Sequence, residues 1–455
     1  MSGKVETIKL IGAGLNGPLL AIGLVRRGFR VAIYERRPDI RRIRMSAGRS
    51  INLALSTRGI HALSEAGLWK EMTKIIVPMR GRMMHSTTSE LTFQPYGKDE
   101  TEVINSISRA ELNISLMNAA ETQGVNIFFQ QRCIGIDLKT GSFQLSDERT
   151  GESKAVEAGV VIGCDGSASA IRGEMLKLNR FNFSQQYLDY GYKELTIPAG
   201  AGGRHVMETN ALHIWPRGKY MLIALPNVDG TFACILFLPY EGPDSFSQLT
   251  TRPGVTRFFE SRLPDALPLM PDVADNFFAN PTGSMVTVRC APWHVEGRVL
   301  LLGDAAHAIV PFFGQGINCG FEDCSCFLEL LDRHGADWNR VFAEFEQARR
   351  VNTDAIADLA VENFIEMRDR VADPRFLFRK KIELALEARY PTLFVPKYAM
   401  VTFHRIPYVT ALRRGRVQDE LLTELCDSID RVDDLDWSEA DRLIRNSLTP
   451  LELAS

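Results

Sequence analysis

A glycine pattern near the start of the chain constrains the fold more than any other sequence feature. Gly12, Gly14 and Gly17 follow a short apolar segment, Thr7 to Ile11, and precede a leucine-rich stretch with helical spacing. A second apolar segment, Val31 to Tyr34, comes next. In such a βαβ unit the glycines allow a tight turn, close approach of a pyrophosphate and helix–strand packing. The sequence therefore predicts a parallel sheet that binds a dinucleotide at the N-terminus of its first helix.

An acidic residue closes this unit. Glu35 ends the second predicted strand, 18 residues after Gly17. A carboxylate at this place accepts hydrogen bonds from an adenosine ribose, which favours NAD or FAD over NADP. The alternative is a solvated acid beside Arg36 and Arg37. The complete βαβ context favours the ribose contact.

A second glycine-rich segment lies nearly three hundred residues further on. Val299 to Leu302 predicts a strand, Asp304 follows it, and Gly314 to Asn318 opens a helix. Ligands bind at the carboxyl ends of strands in open α/β sheets, so Asp304 is expected to face a ligand. The helix N-terminus would stabilise the negative charge of a reduced flavin. A glycine-rich connection with a capping aspartate is the alternative. Together the two segments indicate one long cofactor, FAD.

Composition excludes several classes of protein. The 455 residues carry a formal charge of -3, 45% hydrophobic and 24% charged residues, and no long run of like charges, so nucleic acid is not an expected partner. No apolar run is long enough for a membrane span and no secretory leader is visible, which predicts a cytoplasmic protein. The eight cysteines show no C-x-x-C pair, as is usual in a reducing compartment. Cys319, Cys324 and Cys326 lie near His307, but their spacing matches no zinc pattern.

The order of predicted elements gives the fold class. A βαβ unit comes first, a mainly β region follows from about residue 187 to 278, and a strand and helix then return before a mostly helical end. We therefore predict an α/β fold, with a Rossmann-like FAD-binding domain interrupted by a β-sheet substrate domain, plus a C-terminal helical region. The expected boundaries are 1–180 for the FAD-binding domain with a hairpin at 79–96, 181–285 for the substrate domain, 286–350 for the return, and 351–455 for the helical region that closes the pocket.

Three segments of the chain resemble the signatures of a known family. Residues 12–17, Cys164-Asp165-Gly166 with Ser169 and Arg172, and 303–318 are similar to those of single-component FAD-dependent aromatic hydroxylases, the class A flavoprotein monooxygenases. Further segments resemble the members that act on L-kynurenine. These are Gly48 to Leu55, Gln94 to Gly97, Leu212 to Pro216, Val310 to Gly316, Phe394 to Tyr398 and Met400 to Phe403.

The resemblance implies a reaction. In that family NADPH reduces FAD, O2 adds to the reduced flavin, and the flavin hydroperoxide passes a hydroxyl to the ring of L-kynurenine, giving 3-hydroxy-L-kynurenine in tryptophan catabolism. The amino group of the ring activates it, so no catalytic side chain is assigned and His307 is expected to be structural. The family has no separate NADPH domain, and the chain has no second Gly-x-Gly-x-x-Gly. A monomer or homodimer is expected. The alternatives are a same-class hydroxylase of a substituted kynurenine or an anthranilate, and a non-enzymatic binding protein on the same fold.

The resemblance also assigns substrate contacts to Arg82, Tyr96, Asn363 and Tyr398. Arg82 would bind the carboxylate and Tyr96 would add its hydroxyl across the predicted hairpin, although spacing alone does not separate Arg82 from Arg80. Asn363 falls on the apolar stripe of a helix predicted over 339–370, where a satisfied core amide is the alternative. Phe312 and Phe313 are expected to wall the site. The expected cofactor contacts are Gly12, Gly14, Leu15, Gly17, Glu35, Arg36, Arg37, Ala54, Arg109, Cys133, Asp304, Gly316, Ile317 and Asn318.

Overall fold

A computed structural model describes residues 7–43, 51–369, 374–427 and 429–453. The predicted motif residues Gly48 to Ser50 lie outside these ranges. The strands are β1 Thr7–Ile11, β2 Arg30–Glu35, β3 Asn52–Leu55, β4 Ile76–Met79, β5 Gly81–His85, β6 Leu91–Pro95, β7 Ile104–Ser108, β8 Asn126–Phe129, β9 Gln131–Ile136, β10 Phe143–Asp147, β11 Ser153–Val156, β12 Val160–Gly163, β13 Asn182–Ile197, β14 Ala211–Pro216, β15 Met221–Pro226, β16 Phe232–Pro239, β17 Thr282–Ala291, β18 His294–Val295 and β19 Val299–Leu301. The helices are α1 Asn16–Arg26, α2 Thr57–Glu65, α3 Trp69–Met72, α4 Arg109–Thr122, α5 Ala170–Met175, α6 Arg252–Arg262, α7 Val273–Ala279, α8 Asp304–His307, α9 Gly316–His334, α10 Trp338–Asp369, α11 Pro374–Arg389, α12 Lys397–Thr402, α13 Tyr408–Cys426 and α14 Trp437–Ser447.

The dinucleotide half of the fold is a six-stranded sheet in the order β18-β19-β12-β1-β2-β8. β1 pairs in parallel with β2 and β12, and β12 pairs in parallel with β19. Ile8, Leu10 and Val161 are fully buried, as expected for parallel strands covered on both faces. The return of the chain at β19 after the long insertion confirms the predicted interrupted α/β arrangement.

The second layer is a seven-stranded sheet in the order β17-β13-β16-β15-β14-β5-β6. Its strands come from residues 182–291 and from the predicted hairpin, and β5 joins the rest by a parallel pairing with β14. The region expected to be mainly β also contains α6 and α7. Val255, Phe259 and Phe277 of these helices are buried in one cluster with the strand residue Trp215, so the helices cover an apolar face of this sheet.

The C-terminal part is mostly helical, as predicted. Ile356 and Leu359 of α10 pack in one buried cluster with Phe312 and with Met400 of α12. This packing brings α12 against the segment that precedes α9. Among the residues that the structure describes, no helix is both long enough and apolar enough to cross a bilayer.

Candidate active site

A single cavity of about 830 Å³ extends from the dinucleotide turn to the C-terminal helices. Its volume is in the upper part of the roughly 300–1,000 Å³ range of small-molecule sites. Glu35 at the end of β2 and the nearby Arg37 line it beside the six-stranded sheet. Arg82 and Ile223 line it on the seven-stranded sheet, and Tyr398 lines it on α12. The cavity is therefore bounded by all three parts of the fold.

Each of the three glycines in the first turn has a different geometric role. Gly12 has φ +106°, and a Cβ there would lie 2.5 Å from the Cys164 carbonyl oxygen. A Cβ on Gly17 would lie 2.1 Å from the Gly12 carbonyl oxygen, so Gly17 permits the close packing of helix and turn. A Cβ on Gly14 would meet nothing within 4 Å, and Gly14 lines the cavity. Gly14 thus leaves room for a group that approaches the backbone, as a pyrophosphate does.

Glu35 is held firmly beside this turn. Its carboxylate accepts hydrogen bonds from the Ala13 N–H at 2.8 Å and from the Arg37 N–H at 2.9 Å, and an ion pair joins it to the Arg37 guanidinium at 2.8 Å. Burial by itself would raise the pKa of Glu35, but the hydrogen bonds and charge of Arg37 outweigh burial and lower that pKa. At 5% exposure Glu35 is not the solvated acid of the alternative interpretation. It is a fixed anion at the cavity wall.

The second glycine segment borders the same cavity. Gly303 has φ +66° and Gly314 φ +67°, the left-handed region that favours glycine. Asp304 is exposed to the open cavity, and desolvation by the surrounding walls raises the pKa of its carboxyl. α9 begins at Gly316, where a Cβ would meet nothing within 4 Å. Space is therefore kept at Gly14 and again at Gly316, which fits a long cofactor such as FAD.

Most of the expected cofactor residues line the cavity. Those that do are Gly12, Gly14, Leu15, Glu35, Arg36, Arg37, Ala54, Arg109, Cys133, Asp304, Gly316 and Ile317. Gly17 and Asn318 do not. Asn318 is fully buried, and its side chain accepts from the Ser56 N–H at 2.9 Å and donates to the carbonyls of Ala54 at 2.8 Å and Gly314 at 2.9 Å. The side chain of Asn318 therefore connects the end of β3 and the start of α2 to the turn at Gly314.

An arginine lies beside a pair of stacked tyrosine rings at the other end of the cavity. The Arg82 guanidinium carbon is 5.4 Å from the ring centre of Tyr96 and 5.1 Å from that of Tyr398. Tyr96 and Tyr398 stack with their ring centres 5.9 Å apart. Burial raises the pKa of both phenols, so their hydroxyls stay protonated and are able to donate. The Arg82 Nε atom is buried without a hydrogen-bond partner in the described structure.

The hairpin register separates the two candidate arginines. Arg82 is opposite Gln94, and the Tyr96 N–H donates to the Arg80 carbonyl at 3.0 Å, so Tyr96 is the diagonal neighbour of Arg82. The Arg80 side chain is 55% exposed and lies 3.6 Å from the carboxylate of Glu100. Arg80 falls between β4 and β5, so the strand predicted to run unbroken from residue 79 is interrupted there. Of the two arginines, Arg82 is the one that lines the cavity.

Asn363 is adjacent to the cavity without lining it. It is on the buried side of α10 at 7% exposure, and its Nδ2 donates to the Phe312 carbonyl at 2.7 Å. Phe312 and Phe313 do line the cavity, as expected. The geometry of Asn363 resembles the satisfied core amide of the alternative interpretation, and its substrate contact stays a prediction.

Sequence reasoning missed an apolar wall. The inward residues of three adjacent strands line the cavity: Leu212, Met221, Ile223, Leu225, Ile235 and Phe237. The alternation along β15, where every second residue faces inward, was the available signal. Met79 and Ile104 from the neighbouring small sheet, with the order β3-β7-β4, extend this wall.

One group of buried residues has the atoms of a metal site. Ligand atoms of His307, Cys319 and Asp323 lie within 4.8 Å of one another. The Arg349 guanidinium, however, donates to Asp323 at 2.7 Å and contacts the Cys319 sulfur at 3.4 Å. The positive Arg349 side chain thus already contacts two of the three ligands that a metal ion would need, and its charge opposes a cation there. We therefore assign no metal to this group.

Comparison with known proteins shows which family this chain resembles. Residues 4–332 match the family model described as FAD binding domain. A kynurenine 3-monooxygenase of Myxococcus xanthus is 53% identical over 98% of this chain and 96% of its own length, and one of Dictyostelium discoideum is 44% identical over 97% and 98%. The structure of 2-methyl-3-hydroxypyridine-5-carboxylic acid oxygenase shares the fold at 20% identity, with a TM-score of 0.67 over 83% of this chain and 96% of that one. The chain belongs to the kynurenine 3-monooxygenase family of FAD-dependent aromatic hydroxylases.

Proposed function

We propose that this chain hydroxylates L-kynurenine to 3-hydroxy-L-kynurenine, with FAD as the bound cofactor and NADPH and O2 as cosubstrates. The observation that carries the proposal is the arginine at the end of the cavity, which lies beside the stacked rings of Tyr96 and Tyr398 and lacks an acceptor for its Nε. A buried guanidinium with open donors binds a carboxylate. L-Kynurenine is an amino acid with an aromatic ring and supplies that carboxylate.

The residues around Arg82 orient the substrate. The guanidinium would hold the carboxylate through two parallel hydrogen bonds, with the protonated hydroxyls of Tyr96 and Tyr398 as neutral donors. Two aromatic rings beside the arginine leave it little freedom, so the amino-acid end of the substrate is fixed. Orientation of the ring relative to the cofactor follows from that anchor.

The apolar wall excludes water from the ring. Ile223, Phe237 and Phe312 line the cavity beyond the anchor, and Phe237 and Phe312 are in contact with ring centres 4.9 Å apart. A dry site prevents loss of a reactive oxygen species to water. The chemistry that FAD supplies when bound is the activation of O2 after reduction by NADPH.

The proposed cofactor contacts follow the length of the cavity. Glu35 would accept hydrogen bonds from the adenosine ribose, and Gly14 would admit the pyrophosphate at the start of α1. Asp304 would accept hydrogen bonds from the hydroxyls of the ribityl chain. The first N–H groups of α9 would face the flavin pyrimidine edge, where reduction places negative charge.

The test is product analysis after incubation of the yellow holoprotein with L-kynurenine, NADPH and air. We expect 3-hydroxy-L-kynurenine and NADPH oxidation that depends on L-kynurenine. A parallel panel of ring-substituted kynurenines and anthranilate tests the alternative, which the names of the similar relatives do not favour. The proposal fails if the protein holds no FAD, or if another member of the panel is hydroxylated and L-kynurenine is not. We also expect a monomer or homodimer in the cytoplasm, which sedimentation and cell fractionation measure.

A further inference from the structure

Five charged side chains form a group one layer behind the cavity wall, and four of them are buried while Glu322 is half-buried. This group, here called the ionic cluster, consists of Arg58, His307, Glu322, Asp323 and Arg349. Asp323 is fully buried, Arg58 is 1% exposed, and His307 and Arg349 are each 5% exposed. None of the five is among the residues that line the cavity. Burying charges costs several kcal/mol per ion, so such a group needs its own explanation.

Asp323 ties the turn that carries Asp304 to α9. Its carboxylate accepts from the Gly303 N–H at 3.1 Å, from His307 Nε2 at 2.6 Å and from Arg349 Nε at 2.7 Å. Gly303 and His307 stand on either side of the cavity residue Asp304. The Asp323 carboxylate, two turns into α9, therefore sets the position of Asp304. The first residues of α9 line the same cavity as Asp304.

Glu322 continues the cluster toward the C-terminal helices. It accepts from Arg349 at 2.6 Å and from Arg58, and the Arg58 guanidinium lies 4.0 Å from the centre of the Tyr408 ring. The Tyr408 hydroxyl donates to Gln315 at 2.9 Å, the residue directly before α9. The start of α9 is thus held from two sides by groups connected to the cluster.

The charges of the cluster do not cancel. Burial by itself would lower the pKa of His307, but the carboxylate of Asp323 in contact with its ring raises that pKa well above its usual value. Asp323 therefore favours the imidazolium form of the ring, and in that form three cations stand against two carboxylates. Arg349 also contacts Cys319, and Asp304 is the further carboxyl on the same turn.

We propose that the ionic cluster is a positioning device for FAD: it holds the Gly303–His307 turn and the start of α9 in place, and its charges set how readily the bound flavin is reduced. A positive charge near a flavin favours the reduced form, which carries negative charge, and a negative charge opposes it. The two effects are separable because His307 and Glu322 carry opposite charges. The inference rests on FAD binding in the cavity as proposed above.

The experiment measures the midpoint potential of bound FAD by anaerobic titration and the dissociation constant of FAD by fluorescence. His307→Gln keeps a donor toward Asp323 but removes the cation, so we expect a more negative potential and FAD binding weakened roughly tenfold or more. Glu322→Gln removes an anion and should shift the potential in the positive direction. A merely structural role gives no reason for shifts of opposite sign.

The matched control is His334→Gln. His334 also pairs with a carboxylate, 2.9 Å from Glu344, but at the far end of α9. The midpoint potential of bound FAD and the FAD affinity of the His334→Gln variant should equal those of the unmodified protein. Unchanged potentials in both cluster variants, or shifts of the same sign, overturn the inference while the unmodified protein still binds FAD. If His307→Gln does not fold, Glu322→Gln decides: a positive shift supports the inference, and no shift or a negative one overturns it. An unmodified protein without FAD defeats the proposed function instead.

Discussion

Replacing Arg82 by methionine tests the substrate anchor most directly. Methionine reaches about as far as the Nε of Arg82 and has no charge, so it keeps the apolar stem of the side chain and removes the guanidinium beside Tyr96 and Tyr398. Arg82 has a buried Nε without an acceptor, and no carboxylate of the described residues forms an ion pair with it. Glu366 is close enough to interact electrostatically with both Arg82 and Lys380. It keeps Lys380 as a cationic neighbour when Arg82 is lost, so the free energy of unfolding should change little.

Substrate binding should respond very differently. Removing one partner of a buried, hydrogen-bonded charge pair costs about 2–5 kcal/mol, and a value near 3 kcal/mol corresponds to about a hundredfold in affinity. We therefore expect Arg82→Met to raise the dissociation constant of L-kynurenine about a hundredfold and to abolish most of the NADPH oxidation that L-kynurenine stimulates. FAD content should be unchanged. Arg82→Lys keeps the charge without the planar fork and should lie between the two proteins.

The measurement is a titration of flavin absorbance with L-kynurenine, beside initial rates of NADPH oxidation. Arg80→Met is the matched control, because Arg80 is two residues earlier on the same hairpin and pairs with the exposed Glu100. It should bind L-kynurenine like the unmodified protein. An Arg82→Met protein whose affinity stays within about twofold, or an equal loss in both variants, refutes the anchor.

Two further predictions concern the cofactor turn and the C-terminal helices. Gly14→Ala should fold with normal stability but bind FAD more weakly, because its Cβ meets only the proposed cofactor space. Gly12→Ala should lower the melting temperature, because its Cβ meets the Cys164 carbonyl. Equal melting curves for the two apoproteins would contradict this prediction. Burial, with the charge of Glu102 next, raises the pKa of Glu387 to about 7 from an ordinary value of 4.5. Its contribution to stability is therefore complete below pH 4.5 and is lost as the pH rises through 7. Glu387→Gln should gain about 1–3 kcal/mol at pH 8 over the unmodified protein and little at pH 4.5, measured by urea unfolding; equal gains at both pH values would contradict the assignment.

The dinucleotide half was predictable because its signal is local. The strand, the glycine turn, α1 and β2 follow one another within residues 7–35, so each element limits the next. Asp304 and Gly316 were found in the same way, from a strand followed by glycines. In both places the residues that border the cavity are neighbours in the sequence, and a short pattern is enough to identify them.

The apolar wall depends on long-range pairing and was not predictable in the same way. β5 lies beside β14 through the pairing of Arg82 with Leu212, two residues that are far apart in the chain. Alternation in β15 indicates two faces but not which face meets a ligand. α6 and α7 were missed although Val255, Phe258 and Phe259 have helical spacing, because the helices are only 11 and 7 residues long and interrupt a region that is otherwise rich in strands.

Asn318 and Asn363 show a different limit. Both were expected at the ligand, yet Asn318 bridges Ala54 and Gly314, and Asn363 donates to the carbonyl of Phe312. The residues they hold do line the cavity, and the contacts of Asn318 with the cofactor and of Asn363 with the substrate stay predictions. The fit is tight: a Cβ on Gly59 would lie 2.6 Å from the Asn318 side-chain oxygen. A polar residue beside a glycine loop gives the same sequence signal whether its side chain binds the ligand or fixes the loop. The two cases are separated by which carbonyls the tertiary fold places within reach of the amide, and sequence spacing does not contain that information.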